Sequence, residues 1–78
     1  MPPTETFQDW LRARCRERDW RARQLAKHVG VPARTAHSWL RGERRPRPEM
    51  LNVLLERLAI PAEVRVYVWC LYAATRAR

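Results

Sequence analysis

At 78 residues the chain has room for one small core and no second domain, and its 46% hydrophobic content, gathered in clusters, excludes a disordered basic tail. Net charge is +8, from 16 basic and 8 acidic residues, and 15 of the 16 basic residues are arginine, Lys27 being the exception. Such an excess concentrates polyanions near the surface; G+C-rich codons would explain the Arg:Lys ratio but not the shortage of acids.

Pro2 and Pro3 are expected to keep the first residues extended. Thr6 then stands three residues before Asp9, as an N-cap with an acid in the first turn. Phe7, Trp10, Leu11 and Cys15 follow at helical spacing and predict a first helix, with Arg12, Arg16 and Arg18 on a face expected to meet solvent. Asp19 and Trp20 break it.

From Arg21 to Arg41 the chain reads R-A-R-Q-L-A-K-H-V-G-V-P-A-R-T-A-H-S-W-L-R, two short helices around a turn. Leu25, Ala26 and Val29 form the buried face of the second helix, and Gly30 just past it can take the left-handed conformation that reverses the chain. Val31 plugs the corner, and Pro32 is expected to open a third helix, where its missing N–H costs nothing. In that helix Ala36, Trp39 and Leu40 face inward, Ala33, Arg34, His37, Ser38 and Arg41 face outward, and Gly42 closes it.

The segment E-R-R-P-R-P, Glu43 to Pro48, is a stiff connector that displays three arginines. Pro48 opens a fourth helix with the stripe Leu51, Leu54, Leu55 and Leu58, ended at Ile60-Pro61. A last helix from about Ala62 to Thr75 is apolar on two sides: Val64, Tyr67, Val68 and Leu71 form one stripe, and Val66, Trp69, Cys70 and Ala73 occupy the opposite arc. A small domain covers only one such face, so the second is expected to meet another copy.

Cys15 and Cys70 have no C-x-x-C partner and no neighbouring histidines, so buried or half-buried thiols are expected rather than a disulfide or a metal site. The start, M-P-P-T-E-T-F, lacks the basic and apolar regions of a signal peptide. The longest apolar run, Val66 to Ala74, is about half of the ~20 residues that span a bilayer. A soluble, cytoplasmic protein that makes no membrane contact is expected. Ser38 is the only serine, and no acid stands at a relay offset from His28 or His37. No catalytic residue, metal, cofactor or small-molecule substrate is expected.

The ordered set L-A-x-x-V-G-V-x-x-x-T-A-x-x-W-x-x-G-x-x-x-P, from Leu25 to Pro46, followed by the leucine stripe, resembles the lambda-repressor-like, or Cro/C1-type, helix-turn-helix family. The resemblance covers about Phe7 to Pro61. It implies an all-α, compact five-helix domain whose helix-turn-helix spans about 21–41 and whose third helix enters the major groove of double-stranded DNA. Carried over by position, Ala33, Arg34, His37, Ser38 and Arg41 are the candidates to touch bases, Arg34 foremost because its guanidinium can donate twice to guanine. His37 and Ser38 also read as idle surface residues. Arg21 and Arg23, with Arg44, Arg45 and Arg47 on the connector, are the candidates for phosphate contacts. Val66, Trp69, Cys70 and Ala73 are the candidate homodimer interface, and a face containing Tyr72 is the alternative. The resemblance also implies a transcriptional regulator, most often a repressor reading a near-palindrome. The competing reading is an antitoxin-like or adaptor module that holds a protein partner through the last helix.

Two departures from the family pattern involve four positions. Arg21 and Ala22 stand where a small N-cap and a backbone-touching glutamine are usual. Cys15 and Leu40 stand where many members pair a buried arginine with a glutamate, a double exchange that strands no charge and predicts contact between them.

Overall fold

Among residues 5–74, which the computed structural model describes, the chain forms five helices and no strand: α1 (Phe7–Glu17), α2 (Ala22–Val29), α3 (Ala33–Arg41), α4 (Pro48–Arg57) and α5 (Ala62–Ala74). Pro2, Pro3 and Thr75 lie outside the described residues. Thr6 caps α1 as its spacing predicts: the Asp9 N–H donates to Thr6 Oγ1 at 3.0 Å and the Thr6 N–H donates to Asp9 Oδ2 at 3.3 Å. Pro32 is the N-cap of α3 and not its first helical residue, because its ψ of 147° is still extended while its φ of −62° suits either place.

The core draws on every helix, with Phe7, Trp10, Leu11 and Cys15 from α1, Leu25, Ala26 and Val29 from α2, and Ala36 and Trp39 from α3. The α4 stripe Leu51, Leu54 and Leu55, with Leu58 just past the helix, is wholly buried. Each such leucine stabilises the fold by about 1.5–3 kcal/mol. Helix α3 packs on both α1 and α2, and α5 packs on α1. Burial pushes the Cys15 thiol up, against the lowering pull of Arg18, so it stays neutral inside the core. Cys15 and Leu40 border one shallow depression together with Arg12 and Trp20.

The inner face of α5 is rotated from the stripe that spacing predicts. Val68, Leu71 and Tyr72 are buried, Val64 and Trp69 are partly buried against the core, and Tyr67 is 40% exposed. A tyrosine goes inside only where its hydroxyl finds a partner. Tyr72 donates to the Pro46 carbonyl at 2.6 Å in a buried setting, whereas Tyr67 reaches outward and donates to Glu5 Oε2 at 2.6 Å. The outer arc is therefore Val66, Cys70 and Ala73, with Trp69 at its edge, and Tyr72 is unavailable for an alternative interface.

Four helices end the same way. A residue with positive φ follows each of them (Asp19 57°, Gly30 86°, Gly42 78°, Ala59 54°). The next residue then reaches back five positions, Trp20 to the Cys15 carbonyl, Val31 to Ala26, Glu43 to Ser38 and Ile60 to Leu55, all between 2.8 and 3.0 Å. At Gly30 the conformation alone calls for glycine; at Gly42 a Cβ would also collide with the Gln8 side chain.

Arginines bond carbonyls at or near several helix ends, which corrects the expectation that the charged face of α1 only meets solvent. Arg12 Nε donates to the Leu40 carbonyl of α3 at 2.7 Å, beside Gln8 Nε2 at 3.2 Å. Arg18 donates from Nη1 to the Arg14 carbonyl at 3.1 Å and from Nη2 to the Leu58 carbonyl at 2.6 Å, joining the ends of α1 and α4. Arg65 Nε donates to the Ile60 carbonyl at 2.9 Å, and Arg45 Nη1 to the Tyr72 carbonyl at 2.7 Å. Arg16 stays on the exposed face. In urea denaturation Arg18→Ala is predicted to lose about 2 kcal/mol of stability, as for hydrogen bonds to a charged group. Arg16→Ala should stay within about 0.5 kcal/mol of the parent; equal effects of the two would show that the carbonyl bonds contribute nothing.

Candidate nucleic-acid interface

The turn at Gly30 sets the beginnings of α2 and α3 side by side, and between them lies a cleft of about 730 Å³. Its walls carry Arg21, Ala22, Arg23 and Gln24 from the start of α2, and Ala33, Arg34, His37, Ser38 and Arg41 from α3, with Glu43 at the rim. Seven residues singled out by sequence therefore share one concave surface: Arg21, Arg23, Ala33, Arg34, His37, Ser38 and Arg41. All are exposed except Ser38, which is half-buried.

At neither helix beginning does the N-cap side chain supply an acceptor, the N-caps being Arg21 and Pro32. The first N–H groups of a helix have no partner within it, and they carry the positive end of its dipole. In α3 the earliest paired donor is Thr35, to the Pro32 carbonyl at 2.9 Å, and no acid lies in the first turn. In α2 the Arg21 N–H donates to Gln24 Oε1 at 2.9 Å, while no acceptor on Arg21 answers the helix donors. Two positive helix ends thus meet in the cleft among four arginines. Residues 21–42 contain Arg21, Arg23, Lys27, Arg34 and Arg41 and no carboxylate. Such a surface attracts an anion by backbone donors and side chains together.

The connector arginines lie outside this cleft. Arg44 borders a neighbouring hollow of about 450 Å³ with Arg34, Thr35, Ser38 and Glu43, on the same helix face. Arg44, Arg45 and Arg47 together border another hollow of about 350 Å³ on the Val31, Pro32 and Thr35 flank of α3. Arg44, Arg45 and Arg47 are all exposed, but the guanidinium of Arg45 turns back onto α5, 4.5 Å above the Tyr72 ring.

Two cleft residues went unmarked in the sequence. Gln24 was legible as the third helical residue of α2, the half of a capping box that points back to the N-cap. Glu43 belongs by sequence to the basic connector, but its backbone is pinned by the Ser38 carbonyl and its carboxylate stands 3.9 Å from Arg41. His28 lies on the outer side of α2, stacked on Trp20 with ring centroids 4.1 Å apart, away from the cleft. Among the described residues no group of three or more His, Cys, Asp or Glu is placed to hold a metal ion, and no helix is long and apolar enough to cross a membrane.

A family model described as a helix-turn-helix domain matches residues 9–66. No curated protein and no solved structure gives a significant match. That match runs from α1 into α5 and places the α2–turn–α3 unit at its centre, so the chain belongs to the helix-turn-helix domain family, the build of DNA-binding regulators.

Proposed function

We propose that this chain is a sequence-specific transcriptional regulator of the Cro/C1 type, acting in the cytoplasm as a homodimeric repressor that reads a near-palindromic site through the major groove. The observation that carries the reading is the cleft in which two helix beginnings without an N-cap acceptor and four arginines converge. Bases are met by Ala33, Arg34, His37, Ser38 and Arg41, with Arg34 supplying most of the discrimination through a bidentate contact to guanine. Arg21 and Arg23 at the head of α2, and Arg44 and Arg47 on the connector, grip phosphates on either side.

Dimerisation is supported by the outer arc of α5, where Val66 is 68% exposed and adjoins Cys70 and Ala73. Joining two copies there sets the reading helices about one DNA turn apart, ~34 Å. The same arc also favours a second reading, in which α5 holds a different protein, as an antitoxin or adaptor does. Light scattering separates them. The purified chain is predicted to be a dimer, and Val66→Glu, which buries a charge at the joint, a monomer of unchanged helicity; a monomeric parent would favour the partner-protein reading.

In titrations of labelled duplexes Arg34→Ala is predicted to lose about 1–3 kcal/mol on the preferred site and little on random DNA. Equal losses on both would make Arg34 a phosphate contact. Arg44→Ala is predicted to weaken binding to all DNA and to flatten the salt dependence by about one unit; an unaltered slope would remove it from the phosphate grip.

A further inference from the structure

The connector between α3 and α4 has its conformation set from the far end of the chain. Pro46 is fully buried, and its carbonyl accepts the Tyr72 hydroxyl at 2.6 Å. The Tyr72 carbonyl accepts Arg45 Nη1 at 2.7 Å, and the Arg45 guanidinium lies 4.5 Å over the Tyr72 ring. One residue of α5 therefore holds two consecutive connector residues, through its hydroxyl, its ring and its backbone. The ring is itself fixed, edge-on to Phe7 at 5.8 Å and to Trp69 at 5.5 Å. Pro46 is thus held in the core and the Arg45 guanidinium, on a residue still exposed to solvent, is held to α5, while the residues on either side, Arg44 and Arg47, are exposed.

We infer that Tyr72 is a positioning residue for DNA binding, which with Arg45 latches the connector so that Arg44 and Arg47 are presented to phosphates before DNA arrives; this rests on the DNA-binding reading above. A connector held in its bound shape loses less conformational freedom on association, and affinity gains accordingly. Arg45 then acts as half of the latch and not as a phosphate contact. The salt dependence of binding tells these roles apart, because its slope counts the phosphates neutralised in the complex and not the cost of ordering the loop.

The test measures affinity for a random-sequence duplex across a range of salt concentrations. Tyr72→Phe keeps the ring and removes the bond to the Pro46 carbonyl. It is predicted to weaken binding about five-fold at every salt concentration, the factor that one hydrogen bond supplies, with the slope unchanged. Arg45→Gln, which keeps a donor near the Tyr72 carbonyl but removes the charge over the ring, is predicted to weaken binding in the same way, again without a change of slope. This second variant decides the matter if Tyr72→Phe fails to fold. Unchanged affinity in a folded Tyr72→Phe chain, or a slope reduced by about one in Arg45→Gln, would overturn the latch. No binding by the unaltered chain would overturn the DNA-binding reading itself, and the latch with it.

Discussion

Short helices leave a large share of their carbonyls without partners, and the way this chain satisfies them shapes everything else. With lengths of 8 to 13 residues, the four open carbonyls at each C-terminus are a third to a half of every helix. Left-handed turns close some of them from within the chain. Arginine closes others from neighbouring helices, because its planar fork places donors at a fixed distance and its charge suits the negative end of the helix dipole. The Leu40 carbonyl, held by Arg12 and Gln8, ties the end of α3 to α1; Arg18 ties α1 to α4; Arg45 ties the connector to α5. A lysine at these places would offer a point charge and no fork, so part of the preference for arginine over lysine has a structural cause.

The same chemistry divides the charge into two populations. Arg12, Arg18, Arg45 and Arg65 face carbonyls within the molecule. Arg21, Arg23, Arg34 and Arg41 line the cleft, and Arg44 and Arg47 stand exposed beside it. In the first group Arg12, Arg18 and Arg45 meet the C-terminal ends of α3, α4 and α5, and Arg65 the loop before α5; in the second, the cleft arginines share a surface with the beginnings of α2 and α3. Arginine charge thus meets the negative ends of α1, α3, α4 and α5 within the molecule, while the positive ends of α2 and α3 open on a single surface, which is an electrostatic basis for attracting a polyanion there.

Most of the fold was legible in the sequence because local signals agreed with the tertiary ones. The leucine stripe of α4, the Thr6 cap and the glycines at 30 and 42 each point to the element the structure contains. What escaped was set by hydrogen bonds that helical spacing does not encode. Ala59 takes a left-handed conformation that costs alanine about 1–2 kcal/mol, offset where Ile60 is buried and reaches back to the Leu55 carbonyl. Periodicity placed Tyr67 inside α5 and Tyr72 outside its inner stripe; the hydroxyl partners reverse them, and no spacing rule contains the Pro46 carbonyl. Helical period also turned Ala33, Arg34, His37 and Arg41 outward correctly, since exposure on a short helix follows from the inward set of Ala36 and Trp39. Gln24 and Glu43 were missed because their place at the cleft depends on how two helices meet, not on either alone.

These features describe a domain whose reading surface is sparse and whose supports are extensive. In the proposed reading α3 offers bases only three large side chains, Arg34, His37 and Arg41, so discrimination is proposed to lean on paired half-sites and on DNA shape, which gives the last helix a weight equal to that of the reading helix. The most direct test is selection of bound sequences from a pool of random duplexes at moderate salt. The account predicts an enriched motif with two-fold symmetry, guanine within each half-site and half-site centres about one helical turn apart. A pool that returns no enriched sequence would contradict it.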